Sequence, residues 1–217
     1  MRRVHTFVAD LTLLGTKRGS AKLSLTMPVR EVQDHRWAKD RHRFTVDEYF
    51  ALARYGLLPE RSELIEGDIY DVSPHSSRHR AVVDVLLENF KAFAQGRATV
   101  FGQSTVAFEG WSPEPDVMIL KHDPDRYRDR QPAIEEIHAI IEVADATLAK
   151  DKGLKLRNYA REGVREYWVV NLIDDVIEVY REPRGEEYAI KSTHTFDEPL
   201  ALLDFPQEPQ RWLEPSG

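Results

Sequence analysis

Two acidic residues stand where the surrounding sequence argues for burial. Asp116 opens the apolar stretch Val117-Met118-Ile119-Leu120 directly after Pro115, and Glu142 sits near the end of Ile140-Ile141-Glu142-Val143. A buried carboxylate is costly unless it is paired, hydrogen-bonded or bound to a metal. Two carboxylates at adjacent strand ends would repel each other, and a hard cation such as Mg2+ relieves that repulsion through oxygen ligands. The plainer alternative gives each an ordinary salt bridge or hydrogen bond on a partly exposed sheet face. The next segment carries Lys150, Asp151, Lys152 and Lys155. Asp151 and Lys155, four apart, share a helix face, and as a surface ion pair they would contribute only about 0.3–0.5 kcal/mol. In the functional reading Lys155 points back at the Glu142 strand end. There it would stabilise charge developing on a phosphate or orient an attacking water. Glu63 and His79 are further candidates for the same place, although a lone histidine near a helix start is more often a surface or capping group.

These residues need elements to hold them. Thr45-Val46-Asp47-Glu48 is a capping box that starts a helix ending near Gly56. Glu63-Leu64-Ile65 and Ile69-Tyr70-Asp71-Val72 flank Glu66-Gly67-Asp68 and predict a β-hairpin. Ser76 or Ser77 caps a second helix, in which Val82, Leu86, Phe90 and Phe93 recur at helical spacing up to Gly96, a stripe suited to the core. Extended segments come next at Ala98–Val100, Thr105–Phe108 and Asp116–Leu120. The charged run 121–131 reads as a loop, with Arg126, Arg128 and Arg130 on a solvated rim. Ile137–Val143 reads as a buried central strand. Residues 149–162 form an amphipathic helix stopped by Gly163. Tyr167–Val170 is a second buried strand, and turns at Asp174-Asp175 and Pro183-Arg184-Gly185 lead through Val176–Tyr180 to Tyr188–Lys191. The tail, with Pro206, Pro209 and Pro215, is expected to be irregular. The alternation predicts an α/β or α+β class with a mixed sheet flanked by helices. There is no internal repeat and no glycine-rich phosphate loop, which excludes P-loop and Rossmann nucleotide binding.

Composition narrows the classes further. The 217 residues are 41% apolar and 31% charged, the profile of a soluble globular chain with one main core. Cysteine is absent, which excludes disulfides, thiolate zinc sites and cysteine nucleophiles and fits a reducing compartment. No apolar run approaches the ~18 residues of a membrane span. Asp10 and Lys17-Arg18 interrupt the start, which argues against a secretory signal, so a bacterial cytoplasmic protein is expected. Residues 1–43 hold ten Lys/Arg and four Asp/Glu, a balance of +6, within a chain of net charge -7. The remainder is therefore at -13, without the overall basic footprint of a nucleic-acid binder. Residues 1–41 read as a basic, poorly ordered extension, and Met27 is an alternative start that would remove the first 26 residues.

An ordered set of short stretches resembles the Uma-type family of putative restriction endonucleases, of the PD-(D/E)XK nuclease fold. The stretches are Ser62–Gly67, Ser73-Pro74 followed by His79, Glu114-Pro115-Asp116-Val117 and Ile141–Asp145. They continue through Asp151-Lys152-Gly153 with Lys155 and Tyr159 to Gly163–Trp168, so that the resemblance covers about residues 42–182. It implies a restriction-endonuclease-like domain in which Asp116 and Glu142 are metal ligands and Glu63 is a further acidic member. One departure stands out: the superfamily's lysine normally lies two residues after the second acid, and that position is Ala144 here. Lys155 on the following helix matches instead, with Asp151 orienting it or standing behind the ligands, and His79 in a similar supporting place. Residues 183–217 add a strand and a tail packed on the same domain.

The function implied is a Mg2+-dependent DNA endonuclease, with Mn2+ able to substitute. Asp116, Glu142 and the backbone carbonyl of Val143 would hold the metal, Lys155 would stabilise the phosphate's charge, and Glu63 would complete the site. Duplex cleavage by one site per chain suggests a homodimer. The alternative is a catalytically weak or inactive module that keeps the nuclease fold to bind DNA or a protein partner, through a groove built from Arg78, Arg80, Lys150, Lys152 and Arg157. A glycosidase with paired carboxylates is disfavoured, since Trp168 lies in a predicted buried strand and the other tryptophans are far apart in sequence.

Overall fold

Thr45 starts the first helix, α1 (Val46–Arg54), with both halves of the capping box in place. Its hydroxyl accepts from the Glu48 N–H at 3.2 Å, and the Glu48 carboxylate accepts from the Thr45 N–H at 2.8 Å. The computed structural model describes residues 41–59, 61–72 and 75–214. The basic extension ahead of Arg41, the alternative start at Met27 and the Ser73-Pro74 pair fall outside those residues. Every element from α1 onward belongs to the unit Arg43–Gly217.

The expected hairpin is β1 (Ser62–Ile65) paired antiparallel with β2 (Asp68–Asp71), Glu63 lying opposite Tyr70. Its turn needs two positive φ angles, supplied by Glu66 at 51° and Gly67 at 80°. A side chain at Gly67 would also collide with Arg43, 2.8 Å from the Cβ position. This hairpin forms a small sheet of its own. It is tied down by Tyr49 of α1, which donates to the Ser62 carbonyl at 2.6 Å, and by Leu64, which exchanges backbone hydrogen bonds with Ser112.

The main sheet has six strands in chain order: β3 (Ala98–Gly102), β4 (Val117–Lys121), β5 (Ile137–Ala144), β6 (Glu166–Asn171), β7 (Val176–Arg184) and β8 (Glu187–Thr195). β5 and β6 are parallel and every other neighbouring pair is antiparallel, so the sheet is mixed as expected. The parallel pair needs a crossover, and the helical run Leu148–Glu162 supplies it. Alternation along the strands divides the core into two layers. On one face Val117, Ile119, Ile141, Val143, Trp168 and Val170 pack with Leu86 and Phe90 of α2 (Ser77–Ala94). On the other, Met118, Leu120, Ile140, Tyr167 and Val169 pack with Tyr159 of the crossover run.

Three expectations are corrected. Thr105–Phe108 is not a strand: the Val106 and Phe108 N–H groups bond back to the Pro113 and Trp111 carbonyls, and the Val106 carbonyl accepts from the Ser112 hydroxyl. Gly110, Pro113 and Pro115 bend the segment on itself, and the wholly buried Trp111 plugs it into the core. The crossover run is not one regular helix. It consists of α3 (Leu148–Lys150), a π-helical turn over Asp151–Lys155 and α4 (Leu156–Glu162), with Gly163 as a left-handed cap at φ 86°. Finally, Pro183 does not begin a turn. β7 runs on to Arg184 with Pro183 opposite Tyr188, and the chain reverses at Gly185-Glu186.

Candidate active site

Because β4 and β5 are antiparallel, the start of one lies beside the end of the other, which puts Asp116 next to Val143 and Glu142. Asp116 Oδ2 accepts from the Val143 N–H at 2.8 Å and lies 3.1 Å from His79 Nε2 at the start of α2. Glu142 reaches the same cavity from β5, where its Oε1 accepts from Lys155 Nζ at 2.8 Å and from the Tyr159 hydroxyl at 2.9 Å. Glu63 comes from the hairpin. Its Oε1 accepts from the Glu114 N–H at 3.1 Å and lies 2.9 Å from Lys155 Nζ, while its Oε2 accepts from Lys150 Nζ at 2.6 Å. Asp151 accepts from the Thr147 hydroxyl at 2.5 Å and sits 3.9 Å from Lys155 Nζ. The hairpin, α2, β4, β5 and the crossover run thus each contribute a wall to one cavity of about 310 Å3.

All the acids and the lysine are almost wholly buried, at 2–5% exposure, so their charges are settled by one another. Burial opposes ionisation of Glu63, yet Lys155 and Lys150 outweigh it and hold the carboxyl down to about 2. Burial likewise opposes a charged Lys155, and Glu142, Glu63 and Asp151 together raise it above the ordinary lysine range. Asp116 is held below the usual carboxylate range against its own burial, chiefly by His79 and by the Val143 N–H. For Glu142 burial prevails over the attraction of Lys155 and pushes the carboxyl well up, with Asp151, Asp116 and Glu63 adding repulsion. Asp151 is raised by burial too. The arrangement is a fixed ammonium among carboxylates.

The donor set fits a hard cation. Asp116 takes both its hydrogen bonds on Oδ2 and Glu142 takes both on Oε1. The other oxygen of each accepts nothing among the described residues, and both groups line the cavity. Carbonyls of successive strand residues point to opposite sides. The Ala144 carbonyl accepts from Leu172 on the β6 side, so that of Val143 faces the Asp116 side. Six carboxylates (Glu63, Asp71, Glu114, Asp116, Glu142, Asp151) and three basic groups (Arg61, Lys150, Lys155) line the space. Formal charge there is negative, and a phosphate would need a cation to enter.

Every candidate from the sequence therefore reaches one place: Asp116, Glu142, Lys155, Glu63, Asp151, His79 and the Val143 backbone. Three of the residues named for a basic groove have acidic or carbonyl partners. Arg78 is engaged by Asp175 and the Leu172 carbonyl, Lys152 by Glu178, and Lys150 by Glu63. His75, Thr147 and Tyr159 are cavity or contact residues to which sequence alone assigns no part. Tyr159 had a signal, since it lies four residues after Lys155 on the same helix face. His75 is set four before His79 but outside the helix, where that periodicity carries no meaning.

A family model described as Uma2, putative restriction endonuclease, matches residues 46–213. The crystal structure of a putative nuclease belonging to DUF820 from Anabaena variabilis superposes with a TM-score of 0.57 at 19% identity, over 76% of this chain and 92% of that one. At that identity the likeness shows the fold. No curated protein matches.

Proposed function

The chain belongs to the Uma2 family of putative restriction endonucleases, and on that premise we propose that it is a metal-dependent nuclease that hydrolyses DNA phosphodiester bonds. One observation carries the reading: Glu63, Asp116, Glu142 and Lys155, from four separate elements, converge in one open cavity. Asp116, Glu142 and the Val143 carbonyl would hold Mg2+, with Mn2+ as a substitute. When bound, such an ion supplies Lewis acidity that polarises the phosphate and lowers the pKa of water.

The chain's own groups do the rest. Lys155 carries a permanent charge, braced by Glu63 and Glu142, and its ammonium can offset charge on a phosphate oxygen as bonds rearrange. Glu63 fixes that ammonium and, through Lys150, a second one at the rim. His79 holds Asp116 on one side while the Val143 N–H holds it on the other, which fixes the carboxylate's orientation. Asp151 stands behind Lys155. Two copies acting together would cut both strands of a duplex, in the cytoplasm where DNA is at hand.

Supercoiled plasmid incubated with the native chain, Asp116→Ala or Glu142→Gln, in Mg2+, Mn2+ or EDTA, tests the reading. Nicking should require the metal and fall at least a hundredfold in both variants. A folded native chain that nicks under no condition would leave a nuclease-fold module that binds without cutting.

A further inference from the structure

We infer that His75, His79 and Asp116 form a site for a borderline divalent ion of the Zn2+ and Co2+ class, beside the Asp116–Glu142 position. Each of the three offers one ligand atom, and these atoms lie within 4.8 Å of one another. His79 and Asp116 are 3% and 4% exposed, and both imidazoles line the cavity. The rings stack at 3.9 Å, 8° from parallel. That leaves His75 Nε2 and His79 Nδ1 buried without a hydrogen-bond partner among the described residues. A plain structural histidine gives its nitrogens to neighbouring acceptors or donors. Here His79 gives one to Asp116, and a ring nitrogen of His75 lies within 4.8 Å of the same carboxylate.

The chemistry of the donors decides the ion. Two imidazole nitrogens and one carboxylate suit Zn2+, Co2+, Ni2+ or Fe2+, whereas Mg2+ prefers oxygen ligands and keeps its waters. Ligand atoms around an ion at ~2.0–2.2 Å stand about 3–4 Å apart. Binding must therefore draw the widest pair inward by up to about an ångström. His75 can supply that movement: it is half-buried and lies ahead of the cap residue Ser76 rather than within α2. The site shares Asp116 and its positioning partner His79 with the nuclease reading but requires no phosphodiester chemistry.

Titration of the full chain with Co2+, followed by visible d–d absorption, tests it. One Co2+ should bind per chain, yield to Zn2+, and resist a large excess of Mg2+. Affinity should fall 10–100-fold in His79→Gln and in His75→Phe, a variant that keeps the ring stack and removes the nitrogens, and should persist in Glu142→Gln. No Co2+ binding, or binding untouched by both histidine variants, overturns the inference. Loss in Glu142→Gln with retention in both histidine variants overturns it too, since the ion would then sit between Asp116 and Glu142 alone. Metal-dependent nicking by a native chain that binds no Co2+ would sink this site and leave the nuclease reading standing. The converse pair of results would do the opposite.

Discussion

Lys155 is the residue on which the site's electrostatics turn. Its ammonium lies 2.8 Å from Glu142, 2.9 Å from Glu63 and 3.9 Å from Asp151, at 5% exposure. Removing one partner of a buried ion pair leaves the other charges uncompensated, so Lys155→Met should cost on the order of 3 kcal/mol in urea denaturation without metal. Lys150 softens the loss by keeping its hold on Glu63. A divalent ion held by Glu142 and Asp116 would restore positive charge to the same carboxylates. Mg2+ should therefore raise the melting temperature of Lys155→Met more than that of the native chain, where the ammonium already occupies Glu142 Oε1. Equal Mg2+ shifts in the two chains would mean that lysine and ion do not share these acids. Nicking should be lost in the variant even with Mg2+ present, because an ion that replaces the ammonium's charge does not replace its reach toward a phosphate.

At the scale of elements, the crossover run must be held against the sheet for Lys155 and Lys150 to reach the cavity. Glu178 of β7 does this. It accepts from Lys152 in the π-helical turn at 2.6 Å, lies 2.7 Å from Lys191 of β8, and takes the Tyr180 hydroxyl as well. Burial opposes the charge on Glu178, but Lys152, Lys191 and Tyr180 outweigh it and hold the carboxyl at about 2. Such a depressed acid stabilises the fold fully above its unfolded value of about 4.3 and loses that contribution as pH falls through about 2. Glu178→Gln should melt below the native chain by a constant margin at pH above about 5, and the margin should close toward pH 2. A margin independent of pH would assign the clamp to packing. This clamp was not legible in the sequence, because it joins residues far apart in the chain across three elements. What was legible is local or strongly patterned: the Thr45 box, the Glu66-Gly67 turn, the apolar runs of β4, β5 and β6, and the two acids interrupting or opening them. The π-helical turn was not. Asp151 and Lys155 share a face in either helix, so periodicity alone cannot distinguish the wide turn from a regular one. The segment at 103–116 misled for a related reason. Thr105–Phe108 has strand-forming residues, but Gly110 and two prolines decide that it folds on itself around Trp111.

For the molecule as a whole, chemistry and stability occupy opposite ends of α2. His79 faces the acids at one end, and Phe90, eleven residues on and about 16 Å along the axis, meets the C-terminal tail. There Trp212 stacks on Phe90 at 4.1 Å, lies edge-on to Phe93 at 5.2 Å, and donates its indole N–H to the Leu200 carbonyl at 2.8 Å. Leu200 and Gln210 exchange both backbone hydrogen bonds and hold this turn of chain in place. Two aromatics seven apart in a proline-rich stretch, Phe205 and Trp212, show no period, so the tail's sequence does not mark Trp212 as core. Yet Trp212 is 1% exposed. Truncating a buried tryptophan removes its transfer free energy and leaves a cavity, so Trp212→Ala should cost about 3–5 kcal/mol in urea denaturation. Sites so far apart and without shared partners act additively. Co2+ affinity and metal-dependent nicking, measured well below the variant's lowered melting temperature, should thus stay within about twofold of the native values. If both fell in step with stability, α2 would be transmitting the tail's packing to His79 and Asp116. The candidate site would then belong to the same cooperative unit as the core beneath it.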